Sequence, residues 1–178
     1  MTIDKSILGI AGEFAVAAEL CRRNIYTQLT LGNQKRIDLL TMSHVGKFLK
    51  IEVKAKQTPE WPGVRGLCSG DAFLVFVDFV GKKDTERPGF FVLSPYDWRA
   101  LGSRIIAEYL NKHTDRTAHL DQENCPVFPE EITSSGKPYR GCSVRVRDIE
   151  QHREAWEKIV KACAKVTEVK TEEPAPEE

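Results

Sequence analysis

The sequence predicts an α/β (α+β) protein in which a central mixed β-sheet is flanked by helices. Three patterns indicate this class: a helical period of apolar residues over 4–23, strict two-residue alternation over 48–55, and a nearly continuous apolar run over 72–80. Helical and strand periods that follow each other along one chain indicate helices packed on a sheet. The chain has 178 residues, 41% of them hydrophobic, so we expect a single domain with its own core over 1–166.

The first helix is expected over 4–23, with Asp4 as its N-cap. Its inward face is predicted from apolar residues at three- and four-residue steps, namely Ile7, Ile10, Ala11, Phe14, Ala17, Ala18 and Cys21. Two short strands should follow over 26–31 and 36–42, because a Gly32-Asn33 turn separates two β-type runs.

The third strand, over 48–55, has the clearest pattern in the chain. Its apolar residues are Leu49, Ile51, Val53 and Ala55, which alternate with Lys50, Glu52 and Lys54. Alternation of this kind is typical of a strand with one face on the core and the other face polar. The Pro-, Gly- and Trp-containing segment 58–70 is predicted to be a loop.

In the second half, the run 72–80 predicts a buried strand, and 90–93 predicts its partner across a polar turn. Ser94 is the expected cap of a helix over about 96–112, whereas 113–142 is polar, contains Pro and Gly, and should be irregular. A capping box of Asp148 and Gln151 should start a last helix that carries Ile149, Trp156, Ile159, Val160 and Cys163. The segment 167–178 has no apolar period and is predicted to be a disordered acidic tail.

Composition excludes several classes of function. The five cysteines are widely and irregularly spaced, so they predict no zinc site and are interpreted as reduced thiols of a cytoplasmic protein. No stretch approaches the roughly 20 apolar residues of a membrane span, and no Walker-type phosphate loop is present. The 26 basic and 26 acidic residues cancel overall, but 22–56 holds eight Lys and Arg against two acids, a local charge of +6.

Carboxylates in and beside the strands form the candidate chemistry. Asp38 lies among apolar neighbours, where a charge needs a partner or a metal, and a hairpin from 36–42 into 48–55 would bring it close to Glu52. Glu52 and Lys54 are two residues apart and project to the same side of their strand. Glu13 lies at the edge of the apolar stripe of the first helix. Such carboxylate oxygen atoms are the ligands that a hard cation such as Mg²⁺ prefers. A lysine beside them can orient or deprotonate a metal-activated water, so the set suits metal-assisted hydrolysis of phosphodiesters.

Ile37-Asp38 followed by Glu52-Val53-Lys54 resembles the PD-(D/E)XK nuclease superfamily, whose fold is restriction-endonuclease-like. Gly12-Glu13, within Gly9-x-x-Gly12-Glu13-x-x-Val16-Ala17, resembles the helical glutamate of its Holliday-junction-resolvase-like and small bacterial nuclease-like branches. The resemblance covers residues 9–57. Arg36-Ile37 stands where the superfamily's proline precedes the aspartate.

The resemblance implies a metal-dependent endonuclease whose substrate is DNA, with Mg²⁺ or Mn²⁺ as cofactor and a homodimer as a possible assembly. It assigns Asp38, Glu52 and the Val53 carbonyl as metal ligands. Glu13 would bind the metal directly or through water, and Lys54 would activate the nucleophile. Gln57 stands where several branches carry a polar helper, although a continued strand would turn it away from Lys54.

Lys56, Trp61, Arg65 and Arg140 are the candidate contacts to nucleic acid, since a tryptophan beside basic residues can stack on bases and clamp phosphates. Each has a structural alternative: Trp61 packed on the body of the protein, and the cluster of Lys137, Arg140, Arg145 and Arg147 on a solvated face. Two other readings of the whole chain stay open. One is a catalytically silent nucleic-acid- or protein-binding module on the same fold, and the other is an unrelated α/β protein with Asp38 and Glu52 on different faces or sheets.

Overall fold

A computed structural model of the chain describes residues 3–30, 37–43, 46, 48–67 and 70–164. Its central sheet has five strands in the order β1-β2-β3-β5-β6. These strands are β1 (Tyr26–Leu29), β2 (Leu39–Met42), β3 (Phe48–Lys56), β5 (Ala72–Asp78) and β6 (Gly89–Leu93). Only the β3–β5 pair is parallel, whereas the other neighbours are antiparallel, so the sheet is mixed, as predicted.

Two layers cover the faces of this sheet. One face packs on α1 (Lys5–Cys21) and α4 (Glu157–Ala164). The other face packs on α2 (Pro95–Lys112) and on a two-stranded sheet of β4 (Glu60–Val64) and β10 (Cys142–Arg145). The parallel strand β5 is buried on both faces, which is why its sequence is apolar without alternation. The predicted class, a mixed sheet flanked by helices, is therefore confirmed.

The first helix begins where the sequence predicts. The side chain of Asp4 accepts hydrogen bonds from the backbone N–H groups of Ser6 and Ile7, which satisfies donors that a helix start leaves free. Of the predicted inward face, however, only Ala17 is buried among the described residues, and the rest of the prediction is wrong. Ile7, Ile10 and Phe14 are exposed, while the buried face consists of Leu8, Gly12, Val16, Ala17, Glu19 and Leu20. Both faces of α1 are apolar, so the period alone could not distinguish the packed face from the outer face.

Several segments predicted to be irregular form strands. Residues 58–70 contain β4, which pairs with β10 some 80 residues later. Residues 113–142 contain a three-stranded sheet of β7 (His119–Leu120), β8 (Pro126–Ile132) and β9 (Pro138–Arg140). Three of these short strands, β4, β8 and β9, contain proline, and β4 depends on a partner distant in sequence, so their local pattern is weak.

The capping box also lies elsewhere than predicted. Asp148 caps α3 (Val146–Ile149), a single turn, by accepting a hydrogen bond of 2.8 Å from the N–H of Arg145. A 3₁₀ turn over Glu150–His152 follows, and α4 begins only at Glu157. The predicted inward residues Ile149, Trp156, Ile159 and Cys163 are buried, whereas Val160 is exposed, so the prediction is wrong for Val160. The Gly32-Asn33 turn and the segment 167–178 lie outside the described residues.

The position of α1 on the sheet depends on Gly12. A Cβ atom at Gly12 would lie 2.8 Å from the Cβ of Ala55 in β3, closer than two such atoms approach each other. Gly9, one turn earlier in the same helix, has no neighbouring atom within 4 Å of the same position. The helix therefore approaches β3 closely at Gly12 but not at Gly9.

We expect Gly12→Ala to destabilise the protein by about 1–3 kcal/mol, because the added methyl group forces α1 away from β3. Gly9→Ala should stabilise it by up to about 1 kcal/mol, because alanine has the higher helix propensity and meets no neighbour. Urea unfolding of both variants tests this difference. Stabilisation by both substitutions would contradict the close contact between the helix and the strand.

A buried ion-pair network ties α1 to the loop before β6. Glu19 is 5% exposed, and its carboxylate lies 2.6 Å from Arg23 and 2.7 Å from Arg87. The bonds from Arg87, and then those from Arg23, lower the pKa of Glu19 from 4.5 to about 2, although burial opposes the shift. A carboxylate with a lowered native pKa stabilises the fold above its unfolded pKa, and this contribution is lost as the pH falls toward 2.

Glu19→Gln should therefore lower the free energy of unfolding by about 2–3 kcal/mol at pH 7. The difference from the wild type should shrink as the pH is lowered from about 4.5 toward 2. Denaturant titrations at a series of pH values measure this. Glu150→Gln, which removes an exposed carboxylate paired with Arg153, is the matched control and should have little effect. A pH-independent loss in Glu19→Gln would contradict the ionic role.

Candidate functional site

The pairing of β2 with β3 builds the candidate site. Leu39, the first residue of β2, pairs with Ile51, and continuing this register past the end of β2 places Asp38 opposite Glu52. The N–H of Asp38 donates to the Ile51 carbonyl at 2.9 Å, and the charge of Glu52 raises the pKa of Asp38, so the two residues are neighbours. Asp38 and Glu52 therefore lie together at the β2–β3 pair and not on different sheets.

Asp38 is partly buried and held by β3. Its Oδ2 accepts a hydrogen bond of 2.6 Å from the N–H of Val53. Burial raises the pKa of Asp38, as does the negative charge of Glu52. The Val53 N–H and the cation of Lys54 lower it, but the net direction remains upward. A carboxylate held in this way gains from a nearby positive charge.

Glu52 is the most buried carboxylate of the site, with 4% of its surface exposed. Its Oε1 lies 2.7 Å from the Nζ of Lys54, which is itself about one-third exposed. Its Oε2 is buried and has no hydrogen-bond partner among the described residues. A buried carboxylate oxygen without a donor is costly, and a cation is one group that would satisfy it.

Glu13 reaches toward this site from α1. The side chain is half-buried, and burial raises its pKa. The negative charge of Asp38 adds to the rise and the positive charge of Lys54 opposes it, which identifies the two strand residues as electrostatic neighbours of Glu13. Within the described part of the chain, however, no three His, Cys, Asp or Glu side chains are arranged to hold a metal ion. Direct metal binding by Glu13 in such a group thus has no support in the structure.

Gln57 is held away from the site by the start of the chain. Its Oε1 accepts a hydrogen bond of 3.1 Å from the Ile3 N–H, and its Nε2 donates to the Ile3 carbonyl at 2.6 Å. Both ends of the amide are therefore engaged with the segment that leads into α1. This leaves the role of a polar helper beside Lys54 without support.

Two of the predicted nucleic-acid contacts are buried, so that prediction is wrong for them. Trp61 is 2% exposed and packs edge-on against Phe76 at 4.9 Å between ring centroids. Lys56 is 4% exposed, and its Nζ lies 2.7 Å from Asp78 and 4.4 Å from the centroid of the Trp61 ring. The alternation of β3 continues to Lys56 and places it on the inner layer beside β4, where Asp78 compensates its charge.

The other predicted basic contacts lie on the surface. Arg65 is exposed, whereas Arg140 forms ion pairs with Asp121 and Glu123. Arg145 pairs with Glu60 at 3.1 Å. The basic cluster around Arg140 is thus largely neutralised by acidic neighbours, in agreement with a solvated face.

A row of exposed apolar side chains on the sheet was not found from the sequence. Tyr26 pairs with Met42, and Met42 pairs with Phe48, so the three side chains share one face. Their exposed fractions are 57%, 42% and 57%. Phe48 lies on the same face as Glu52, about 13 Å away at 3.3 Å per residue. Only the register of three strands reveals the row, although the position of Phe48 in the alternation of β3 is a partial signal.

Cys21, Cys142 and Cys163 are free thiols, and Cys125 is buried. Burial raises the pKa of Cys142 to about 12, so this thiol stays protonated and packs as a small apolar group. No helix in the described ranges is long and apolar enough to span a membrane.

Asp38, just before β2, thus lies near Glu52 and Lys54 on β3, and Glu13 on α1 is an electrostatic neighbour of Asp38 and Lys54. No known family model matches the chain, and no curated protein does. A solved structure, that of the bacterial homing endonuclease I-Ssp6803I, aligns over 90% of this chain and 96% of its own chain. The sequence identity is 16% and the TM-score 0.45, a level of likeness that carries no argument about function.

Proposed function

We propose that this protein is a metal-dependent nuclease that hydrolyses phosphodiester bonds in DNA. The observation that carries the proposal is the buried Glu52, whose Oε2 lacks a partner among the described residues while Asp38 lies opposite and Lys54 is 2.7 Å away. A buried carboxylate oxygen without a hydrogen-bond donor does not stabilise the fold, so we infer that Glu52 is placed there to bind a ligand.

The donor set fits a hard divalent cation. Asp38, Glu52 and the Val53 carbonyl would offer oxygen atoms to Mg²⁺ or Mn²⁺, with waters completing the shell, and Glu13 would contribute through a water. Such a cation, when bound, supplies positive charge that activates water and neutralises phosphate oxygens. Lys54 would orient the attacking water and offset the negative charge that develops on the phosphorus centre.

The surroundings support a polyanionic substrate. Residues 22–56 carry eight basic residues against two acids, and this segment includes both strands of the candidate site. Tyr26 and Phe48 offer exposed aromatic rings on the face that carries Glu52, and such rings can stack on unpaired bases. We propose these two residues as nucleic-acid contacts in place of Trp61 and Lys56, together with Arg65.

A silent nucleic-acid-binding module remains the second candidate. It is favoured by the lack of a third metal-holding side chain within the described ranges and by the ion pair that already joins Lys54 to Glu52. This candidate predicts that the protein binds DNA but does not cut it.

We expect Asp38→Asn and Glu52→Gln to reduce DNA cleavage by about 10²-fold or more, because each change removes a charged ligand without altering side-chain size. Cleavage with Mg²⁺ and with Mn²⁺ is measured on linear, nicked, branched and single-stranded substrates. Glu60→Gln, which neutralises a carboxylate on β4 outside the site, is the control and should retain activity. Equal cutting by all three variants would assign the activity to another site, and binding without cutting by the wild type would favour the silent module.

Lys54→Met should separate cation binding from catalysis. The variant keeps Asp38 and Glu52, so Mn²⁺ should still raise its melting temperature, by an amount equivalent to about 2.7 kcal/mol at 100 times the dissociation constant. Cleavage should fall by about 10²-fold or more, because the lysine acts on water and on transition-state charge. Glu52→Gln should lose the Mn²⁺-induced shift. If Lys54→Met lost the shift and Glu52→Gln kept it, the cation would depend on the lysine and not on the carboxylate, which would contradict both roles.

A further inference from the structure

Asp38 is placed where regular strand pairing ends. It precedes Leu39, the first residue of β2, and residues 31–36 lie outside the described ranges. The ends of strands open more readily than their interiors, so a carboxylate at such a position needs contacts of its own to keep one orientation. A ligand to a cation has to be held within about 0.5 Å of its working position. The contacts of Asp38 therefore decide whether it can act together with Glu52.

Strand β3 holds one side of Asp38. The N–H of Asp38 donates to the Ile51 carbonyl at 2.9 Å, and its Oδ2 accepts a hydrogen bond of 2.6 Å from the Val53 N–H. The first bond fixes the backbone and the second fixes the carboxylate. Both bonds come from the same strand, so a further contact is needed to hold the residue from the other side.

Thr30 supplies that contact. It directly follows Leu29, the last residue of β1, and its N–H donates to the Asp38 carbonyl at 3.0 Å. Its hydroxyl oxygen, Oγ1, donates to the Ile37 carbonyl at 2.6 Å and to the Asp38 carbonyl at 3.3 Å. The side chain of Thr30 is half-buried. One threonine thus bonds two successive carbonyls, those of Ile37 and Asp38.

The hydroxyl of Thr30 completes the hold on one peptide group. The planar group that joins Ile37 to Asp38 has its carbonyl bonded to Thr30 and its N–H bonded to Ile51. A planar group with a partner at each edge resists rotation, so the direction in which the Asp38 side chain leaves the backbone is fixed. Almost any residue at position 30 would supply the N–H, whereas the second donor requires a short side chain with a hydroxyl.

We propose that Thr30 is a positioning residue whose hydroxyl holds the Ile37–Asp38 peptide group and thereby directs the Asp38 carboxylate toward the candidate site. Thr30 acts through the backbone of Asp38 and is not itself a ligand or a catalytic group. The inference rests on the proposed function, because it takes Asp38 as a ligand of the cation. A displacement of about 1 Å in a reacting group costs about 10²-fold in rate, so the loss of one hydroxyl should be visible in turnover.

Thr27 provides a matched control on the same strand. Its side chain is also half-buried, and its hydroxyl also donates to a backbone carbonyl, that of Ile25 at 3.1 Å. Thr27 pairs with Thr41, three residues beyond Asp38 in the sequence. Thr27→Val therefore removes the same kind of hydrogen bond from β1 without changing the contacts of Asp38.

DNA cleavage by the variants tests the role. Thr30→Val removes the hydroxyl at nearly constant shape and should lower kcat by about 10- to 100-fold. The KM for DNA should stay within about 3-fold, because the hydroxyl bonds the Ile37 carbonyl and not the substrate. Thr30→Ser keeps a hydroxyl and should recover most of the rate, whereas Thr27→Val should cut as the wild type does. An unchanged kcat in Thr30→Val, a loss confined to KM, equal losses in Thr27→Val, or no recovery in Thr30→Ser would overturn the proposal.

NMR measures the hold on Asp38 without a substrate or a cation. The Val53 N–H donates to the Asp38 carboxylate, so the Val53 amide resonance should move as Asp38 is titrated with acid. This movement should be smaller in Thr30→Val than in the wild type, Thr30→Ser and Thr27→Val. A wild type that cuts no DNA, together with a smaller movement in Thr30→Val, would contradict the proposed function and still support the role of Thr30. An unchanged movement in Thr30→Val would overturn that role, whether or not the protein cuts DNA.

Discussion

The structure depends on one strand, β3, whose two faces have opposite requirements. Leu49, Ile51 and Val53 face the core under α1 and α4, and the same strand pairs with both β2 and β5. Since successive side chains alternate, a strand fixed by its apolar residues has no freedom in where it places Glu52 and Lys54. A register slip of one residue would place the two charges among the apolar side chains that pack on α1 and α4. The hydrophobic packing thus fixes the geometry of the candidate site.

The charges of the site are held at an energetic cost that the fold compensates only in part. Among the described residues, Glu52 forms an ion pair with Lys54, and Asp38 accepts a hydrogen bond from the Val53 N–H of β3. Burial raises the pKa of Asp38 and of Glu13, which means that the surroundings disfavour their negative charges. By contrast, Glu19 on the same helix has three arginine partners, Arg22, Arg23 and Arg87, and a pKa of about 2. Two acids of α1 therefore have opposite electrostatic surroundings, and only the compensated one has a purely structural explanation.

The limits of prediction follow from how local each feature is. The sequence predicts the features that depend on a few neighbouring residues. These are the helix caps Asp4 and Ser94 and the alternation of β3. Whether Asp38 lies opposite Glu52 depends on one short hairpin, so the pattern could predict that too. The pairing of β4 with β10 joins segments some 80 residues apart, and it buries Trp61 where the composition of its segment predicts a loop. Nothing near Trp61 in the sequence encodes that partner, which is why the predicted stacking role fails.

The wrongly predicted inward face of α1 has a different origin. The apolar period correctly predicts a helix, but it does not tell which apolar face of that helix packs on the sheet. The helix carries a packed face that includes Leu8, Gly12 and Val16 and an exposed apolar face of Ile7, Ile10 and Phe14, and the close approach of Gly12 to Ala55 fits the first of these faces to β3. A glycine at the contact is a packing signal that an apolar period does not contain. Glu13 follows Gly12 directly and is half-buried at the flank of the packed face. The close contact that sets α1 on β3 therefore also sets the position of Glu13 near Asp38 and Lys54.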